Sequence, residues 1–123
     1  ERGLRRYSIG EQGVPVAVVA DAVVAVREVL RLEGSAEDAL LGRVCATAIL
    51  LCEAFVGGAI VARVAGDGAA ETWDAVPAPV AQGVAMLAAH LFDHRESDAL
   101  PPAAVAALWR PYRRMRLSPE VAA

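Results

Sequence analysis

From Val44 to Ala62 the chain carries only two polar side chains, Thr47 and Glu53, and this run limits the possible folds more than any other feature. Written on a helix, Leu41, Val44, Ala48, Leu51 and Phe55 form one apolar stripe, and Cys45, Ile49, Cys52 and Val56 form a second beside it. Few helices of a small monomer are apolar over so wide an arc. Such a helix is either central in a bundle or shared with a neighbouring subunit. A membrane span of the same length is disfavoured by Glu53 near its middle and by the Gly57-Gly58 pair. The rest of the core must be built from small residues, because 27 Ala and 17 Val stand against 5% aromatics. Small side chains fill space only when backbones approach closely, which suits helix on helix better than an aromatic-filled sandwich. The expected fold is all-α: one domain of 123 residues forming a small bundle of about four helices.

The punctuation divides the chain into an N-terminal arm (1–20), a helical bundle (21–110) and a C-terminal tail (111–123). Val14 to Val19, β-branched with Pro15 inside, reads as an edge strand or extended lead-in. Asp21 is the expected N-cap of a first helix that ends at Gly34, with Val23, Val26, Val29 and Leu30 on its apolar side. Ser35 and Asp38 resemble a capping box that opens the second helix, and Gly57-Gly58 stops it after Val56. Ile60 to Val64 then reads as a strand, Gly66-Asp67-Gly68 as a turn and Glu71 to Val76 as a return strand. A hairpin-like loop of this length in so small a domain is usually functional or mobile. Pro77 and Pro79 open a third helix with Val80, Val84, Leu87 and Leu91 inward, closing near Glu96 and Ser97. Pro101-Pro102 opens a short fourth helix, ended by Pro111. Arg2, Arg5 and Arg6 ahead of Val14 to Ala20 outline a signal peptide only weakly, since Asp21 interrupts the apolar run.

Chemistry is sparse. All 12 basic residues are Arg, so Schiff-base and P-loop lysine mechanisms are excluded. Residues 35–99 carry three Arg against nine acids, whereas residues 100–123 carry four Arg against one acid. An acidic body with a basic tail argues against a nucleic-acid face on the body and for a tail that docks on something acidic. Cys45 and Cys52 lie seven positions apart, about 10 Å along one helix, too far for a disulfide. They are expected to be buried thiols in a reducing compartment. His90 and His94 share a helical face beside Asp93 and Glu96, but no third ligand has metal-motif spacing. Asp93, Arg95, Glu96 and Asp98 read as a solvated helix end. Glu53 on its apolar helix is expected to pair with an Arg from another helix or subunit, which makes Glu53, Arg95 and Glu96 the candidate ion-pair residues. Ser, His and Asp residues are present without a nucleophile elbow, and Gly66-Asp67-Gly68 is too short to cradle a phosphate.

The order of several segments resembles a known family. Leu30-Arg31-Leu32-Glu33-Gly34 precedes Ala36-Glu37-Asp38-Ala39-Leu40-Leu41, then Glu53-Ala54-Phe55-Val56-Gly57, the loop with Trp73, and Val76-Pro77-Ala78-Pro79-Val80. Leu87-Ala88-Ala89-His90-Leu91-Phe92-Asp93-His94-Arg95-Glu96 and Leu100-Pro101 follow, and Leu108-Trp109-Arg110-Pro111-Tyr112-Arg113 closes the series. This order looks like the head–tail connector (adaptor) proteins of long-tailed phages and of phage-derived gene transfer agents. The closing Trp109-Arg110-Pro111-Tyr112-Arg113-Arg114-Met115-Arg116-Leu117 looks most like the gene-transfer-agent members. The resemblance covers residues 22–117 and departs at the Val-rich start of the first helix.

The resemblance implies a helical bundle that is not an enzyme and holds no cofactor or metal. Such proteins form a ring, usually of twelve copies, below the portal ring of a virion or gene-transfer-agent particle. They assemble in the bacterial cytoplasm without a membrane. Double-stranded DNA passes through the ring without sequence-specific binding, and a stopper or head-completion protein binds the far side. Carried onto this chain, Arg110, Tyr112, Arg113, Arg114, Met115, Arg116 and Leu117 become the portal-docking segment. The loop residues Arg63, Asp67, Glu71 and Trp73 become contacts to a neighbouring subunit or the stopper. Two other readings compete: a small metal-binding or enzymatic bundle using His90, His94 and Glu53, and a membrane-active protein using residues 44–62.

Overall fold

The long apolar run does become the central helix. In the computed structural model, which describes residues 8–114, four helices form: α1 (Val16–Leu30), α2 (Asp38–Val56), α3 (Ala78–Asp93) and α4 (Ala103–Trp109). Short 3₁₀ turns lie at Glu11–Gly13, Trp73–Ala75 and Arg110–Tyr112, and there is no strand among the described residues. α1, α2 and α3 each pack on the other two, and α4 is mounted mainly on α3. On α2 the stripe of Cys45, Ile49, Cys52 and Val56 is fully buried. The other stripe is only partly covered: Leu41 and Ala48 are buried, Val44 and Phe55 are half-buried, and Leu51 is 47% exposed.

The start of the chain differs from expectation. The residues after Pro15 are helical, and α1 starts at Val16 instead of after Asp21. Proline lacks an N–H and holds φ near the helical value, so it suits a helix entry at least as well as an edge strand. Valine costs a helix only a few tenths of a kcal/mol per residue relative to the best formers. Burying Val18, Val23 and Val26 returns roughly 1.5–3 kcal/mol for each side chain. The extended lead-in lies earlier: Val16 N–H donates to Ser8 O at 2.8 Å, and Gly10 N–H donates to Val14 O at 2.9 Å. Between them Gln12 and Gly13 take left-handed φ values of 55° and 80°. α1 also ends early, at Leu30, where Arg31 turns left-handed at φ 58° and Leu32 N–H closes on Arg27 O at 2.9 Å. Val29, expected on the apolar side, is 52% exposed.

Two further expectations are corrected. Ser35 does not open α2 as a capping box; Asp38 N–H donates to Ser35 O in a preceding turn, and no side chain caps the helix. Asp38 instead sits in the first turn, 3.7 Å from Arg27 of α1, where its charge also favours the helix N-terminus. The two strands expected between α2 and α3 do not form. Val61 and Ala70 make one isolated bridge, and the return segment curls into the 3₁₀ turn that buries Trp73. The N–H of Arg63, which a strand ladder would need, is taken by the Asp67 carboxylate at 3.0 Å. The turn itself is as expected, with Gly66 and Gly68 at φ 82° and 87°. α3 follows Pro77 as expected but ends at Asp93, before Glu96.

α4 is held by a single large side chain. Trp109 is 4% exposed and its indole N–H donates to Val80 O at 3.1 Å. The ring lies directly on Gly83 of α3, where an added Cβ would overlap Nε1. Glycine costs a helix interior about 1 kcal/mol relative to alanine, so this notch is kept at the expense of propensity. We predict that Gly83→Ala destabilises the protein in urea unfolding although it improves helix propensity. Trp109→Ala should lose roughly 3–5 kcal/mol. An unchanged midpoint for either would contradict the packing described.

Candidate functional site

The C-terminal end of α2 gathers most of the polar structure. Glu53 projects from the last turns of α2 with its side chain 13% exposed. Arg63, ten residues on in the loop, grips it with two bonds: Nη1 to Oε2 at 2.6 Å and Nη2 to Oε1 at 2.9 Å. Ile60 N–H adds a third bond to Oε2 at 2.9 Å. Arg63 also donates to Val61 O at 2.7 Å and to Gly13 O at 3.3 Å, so one guanidinium ties α2, its following loop and the N-terminal segment together. Gln12 secures the same segment farther back, donating to Thr47 Oγ1 at 2.7 Å. Glu53 therefore has an Arg partner, but from its own loop. Neither Arg95 nor Glu96 takes part: Arg95 lies over the Phe92 ring at 4.8 Å and donates to Phe92 O, and Glu96 is exposed. A loop that folds straight back reaches Glu53 with less ordering than a distant helix end.

Of the expected loop contacts, Arg63 is thus occupied within the chain, and Trp73 is buried in the core at 8% exposure. Asp67 is fully at the surface and closes the glycine turn. The Ala69 N–H, together with the Arg63 N–H, holds its carboxyl below the usual carboxylate range. Glu71 is exposed.

The basic segment returns to the same end of α2. Arg110 and Tyr112 are exposed. Arg113 stacks its guanidinium 5.3 Å from the centre of the Phe55 ring. Arg114 N–H donates to Val56 O at 2.6 Å, and its guanidinium rests on Gly58. A cavity of about 450 Å³ opens here, lined by Val56, Ile60, Ala70, Val80, Tyr112 and Arg114 among others. Met115, Arg116 and Leu117 lie outside the described residues. Phe55 and Gly58 were legible only as a stripe position and a helix stop. Their roles as seats for two guanidiniums leave no local signal in the sequence.

His90 and His94 stack with ring centres 4.4 Å apart. Each uses one nitrogen locally, His90 Nε2 on Ala99 O at 3.0 Å and His94 Nδ1 on His90 O at 3.1 Å. Among the described residues no group of three or more His, Cys, Asp or Glu is placed to hold a metal ion. Cys45 and Cys52 are free and buried. Burial pushes both thiols up to about 12, and the Glu53 charge adds to the effect at Cys52. α2 is long and apolar enough to cross a membrane, a test that the core helix of a soluble protein also passes. No protein-family model, curated protein or solved structure matches this chain.

Four outcomes follow from this geometry. Arg63→Ala should cost about 2 kcal/mol, short of a fully buried pair because Arg63 is partly exposed. A double-mutant cycle with Glu53→Gln in urea unfolding should show coupling of about 1 kcal/mol or more. Additive losses would contradict the network. The Asp67 contribution to stability is complete above the ordinary carboxylate range and is lost as pH falls through its lowered value; Asp67→Asn should reduce that acid dependence. Both thiols should resist iodoacetamide at pH 8 in the native protein and react in urea, and rapid native labelling would contradict their burial.

Proposed function

We propose that this chain is a subunit of a head–tail connector, forming a ring between the portal and the stopper of a phage-like particle or gene transfer agent. The observation that carries this reading is the ordered series of segments across residues 22–117, ending in Trp109 to Leu117. The all-α fold is compatible with it, and the physical character of the surface supports it at three points. First, large apolar side chains remain exposed on α1, α2 and the loop, including Val16, Val24, Leu51 and Val64. Neighbouring subunits in a ring would cover such positions. Second, the acidic middle of the chain suits a channel through which DNA slides without adhering. Third, Arg110 and Tyr112 are exposed at the entry to the basic tail, where an acidic partner surface can reach them.

The tail supplies the test. Arg113 meets Phe55 and Arg114 meets Val56 of α2, so a chain ending at residue 114 keeps every one of these contacts. The truncated protein should keep its helical circular dichroism and lose co-sedimentation with the portal protein of the same particle. Binding equal to the full chain would reject portal docking through Met115, Arg116 and Leu117.

A further inference from the structure

Two guanidinium groups at the end of α2 have no carboxylate at ion-pair distance among the described residues. The one acid of that helix end, Glu53, is already gripped on both oxygens by Arg63. Arg113 and Arg114 are instead positioned by other means. The Arg113 guanidinium lies 5.3 Å from the Phe55 ring centre. The Arg114 backbone is pinned to Val56 O, and its guanidinium fills the space that a side chain at position 58 would take. A Cβ on Gly58 would stand 2.6 Å from Nη1 and 2.9 Å from Cζ. These cations are held in place before any anion arrives, which lowers the ordering cost of meeting one.

Arg114 also lines two cavities. The first, about 450 Å³, has apolar walls from Val56, Ile60, Ala70, Pro77 and Val80, with Tyr112 beside Arg114. The second, about 440 Å³, is lined by Ala54, Phe55, Gly57, Arg113 and Arg114. A free inorganic anion would use the charges and leave the apolar walls unfilled. A carboxylate beside an apolar side chain uses both, because a guanidinium accepts a carboxylate through two parallel bonds.

We propose that these cavities form a docking site for an acidic peptide segment of a partner protein. One apolar side chain of the segment enters the larger cavity, and flanking carboxylates meet Arg114 and Arg113. The site does not rest on the connector reading, and its test needs only the purified chain and a short synthetic peptide.

The experiment is a titration of the ¹⁵N-labelled protein with acetyl-Glu-Leu-Glu-amide, followed by amide chemical shifts. Saturable shifts at Gly58, Ala69 and Ala70 are expected. Arg114→Gln should weaken binding about tenfold, the scale of one charge-assisted bond. Gly58→Ala keeps every charge and displaces only the Arg114 guanidinium from its seat; because Gly58 does not have a positive φ, the fold tolerates it, and a similar weakening is expected. Arg43→Gln removes the same charge from an exposed position in the first half of α2, away from the cavities, and should change affinity less than twofold. The proposal is overturned by shifts that never saturate, or by equal loss in Arg43→Gln. Equal binding of acetyl-Gln-Leu-Gln-amide would also overturn it, as would the same shifts from inorganic phosphate alone. Should Gly58→Ala fail to fold, Arg114→Gln against Arg43→Gln decides.

Discussion

The seating of Trp109 on Gly83 is the contact on which the arrangement around the C-terminal end of α2 depends. α4 has seven residues, too few to be stable as an isolated helix. Its position comes from one indole laid against a backbone without a Cβ and fixed by a bond to Val80 O. With Trp109 fixed and also near Phe55, at 5.9 Å between ring centres, the next residues must pass the end of α2. There Arg114 closes on Val56 and completes one wall of the larger cavity. The Glu53–Arg63 pair performs the matching task from the other side, folding the loop back onto the same helix end.

This arrangement reflects a core with few large side chains. The largest fully buried residues are Leu41 and Ile49, followed by valines, and much of the rest is alanine. At the helix contacts only Gly83 has its missing Cβ replaced by a neighbour, Trp109, whereas a Cβ on Gly42 would stand in ordinary contact with Val19. Such a core closes on small surfaces, so each large residue carries an unusual share of the packing. It also leaves valines of α1 and the loop outside, where they are available to neighbours.

The helical architecture was legible because its signals are local. Two apolar stripes marked α2, and proline pairs marked the entries of α3 and α4. Only the start of α1 was misread: Pro15 and the valines at 16, 18 and 19 point to a strand by propensity, and burial of Val18 in line with Ala22, Val23 and Val26 decides for a helix. The loop was read as two strands because alternation is visible in a sequence. What redirected it is not visible: the Arg63 N–H turned toward Asp67 and its guanidinium toward Glu53. The pairing of Glu53 was legible as a need for an Arg, since a half-buried carboxylate on an apolar helix requires one. Which Arg was settled by chain connectivity in three dimensions. The same holds for Phe55 and Gly58, whose neighbours Arg113 and Arg114 lie more than fifty positions away.

The connector account unites an ordered series of family-like segments with a bundle whose exposed valines, acidic middle and basic exit all suit assembly with other proteins. Electron cryomicroscopy of the phage-like particles made by the producing cell tests it most directly, with this chain located by fitting its helices. The account predicts a ring of this bundle between the capsid vertex and the tail, with the basic segment at the portal. Particles whose neck is fully built from other proteins, with this chain absent, would contradict it.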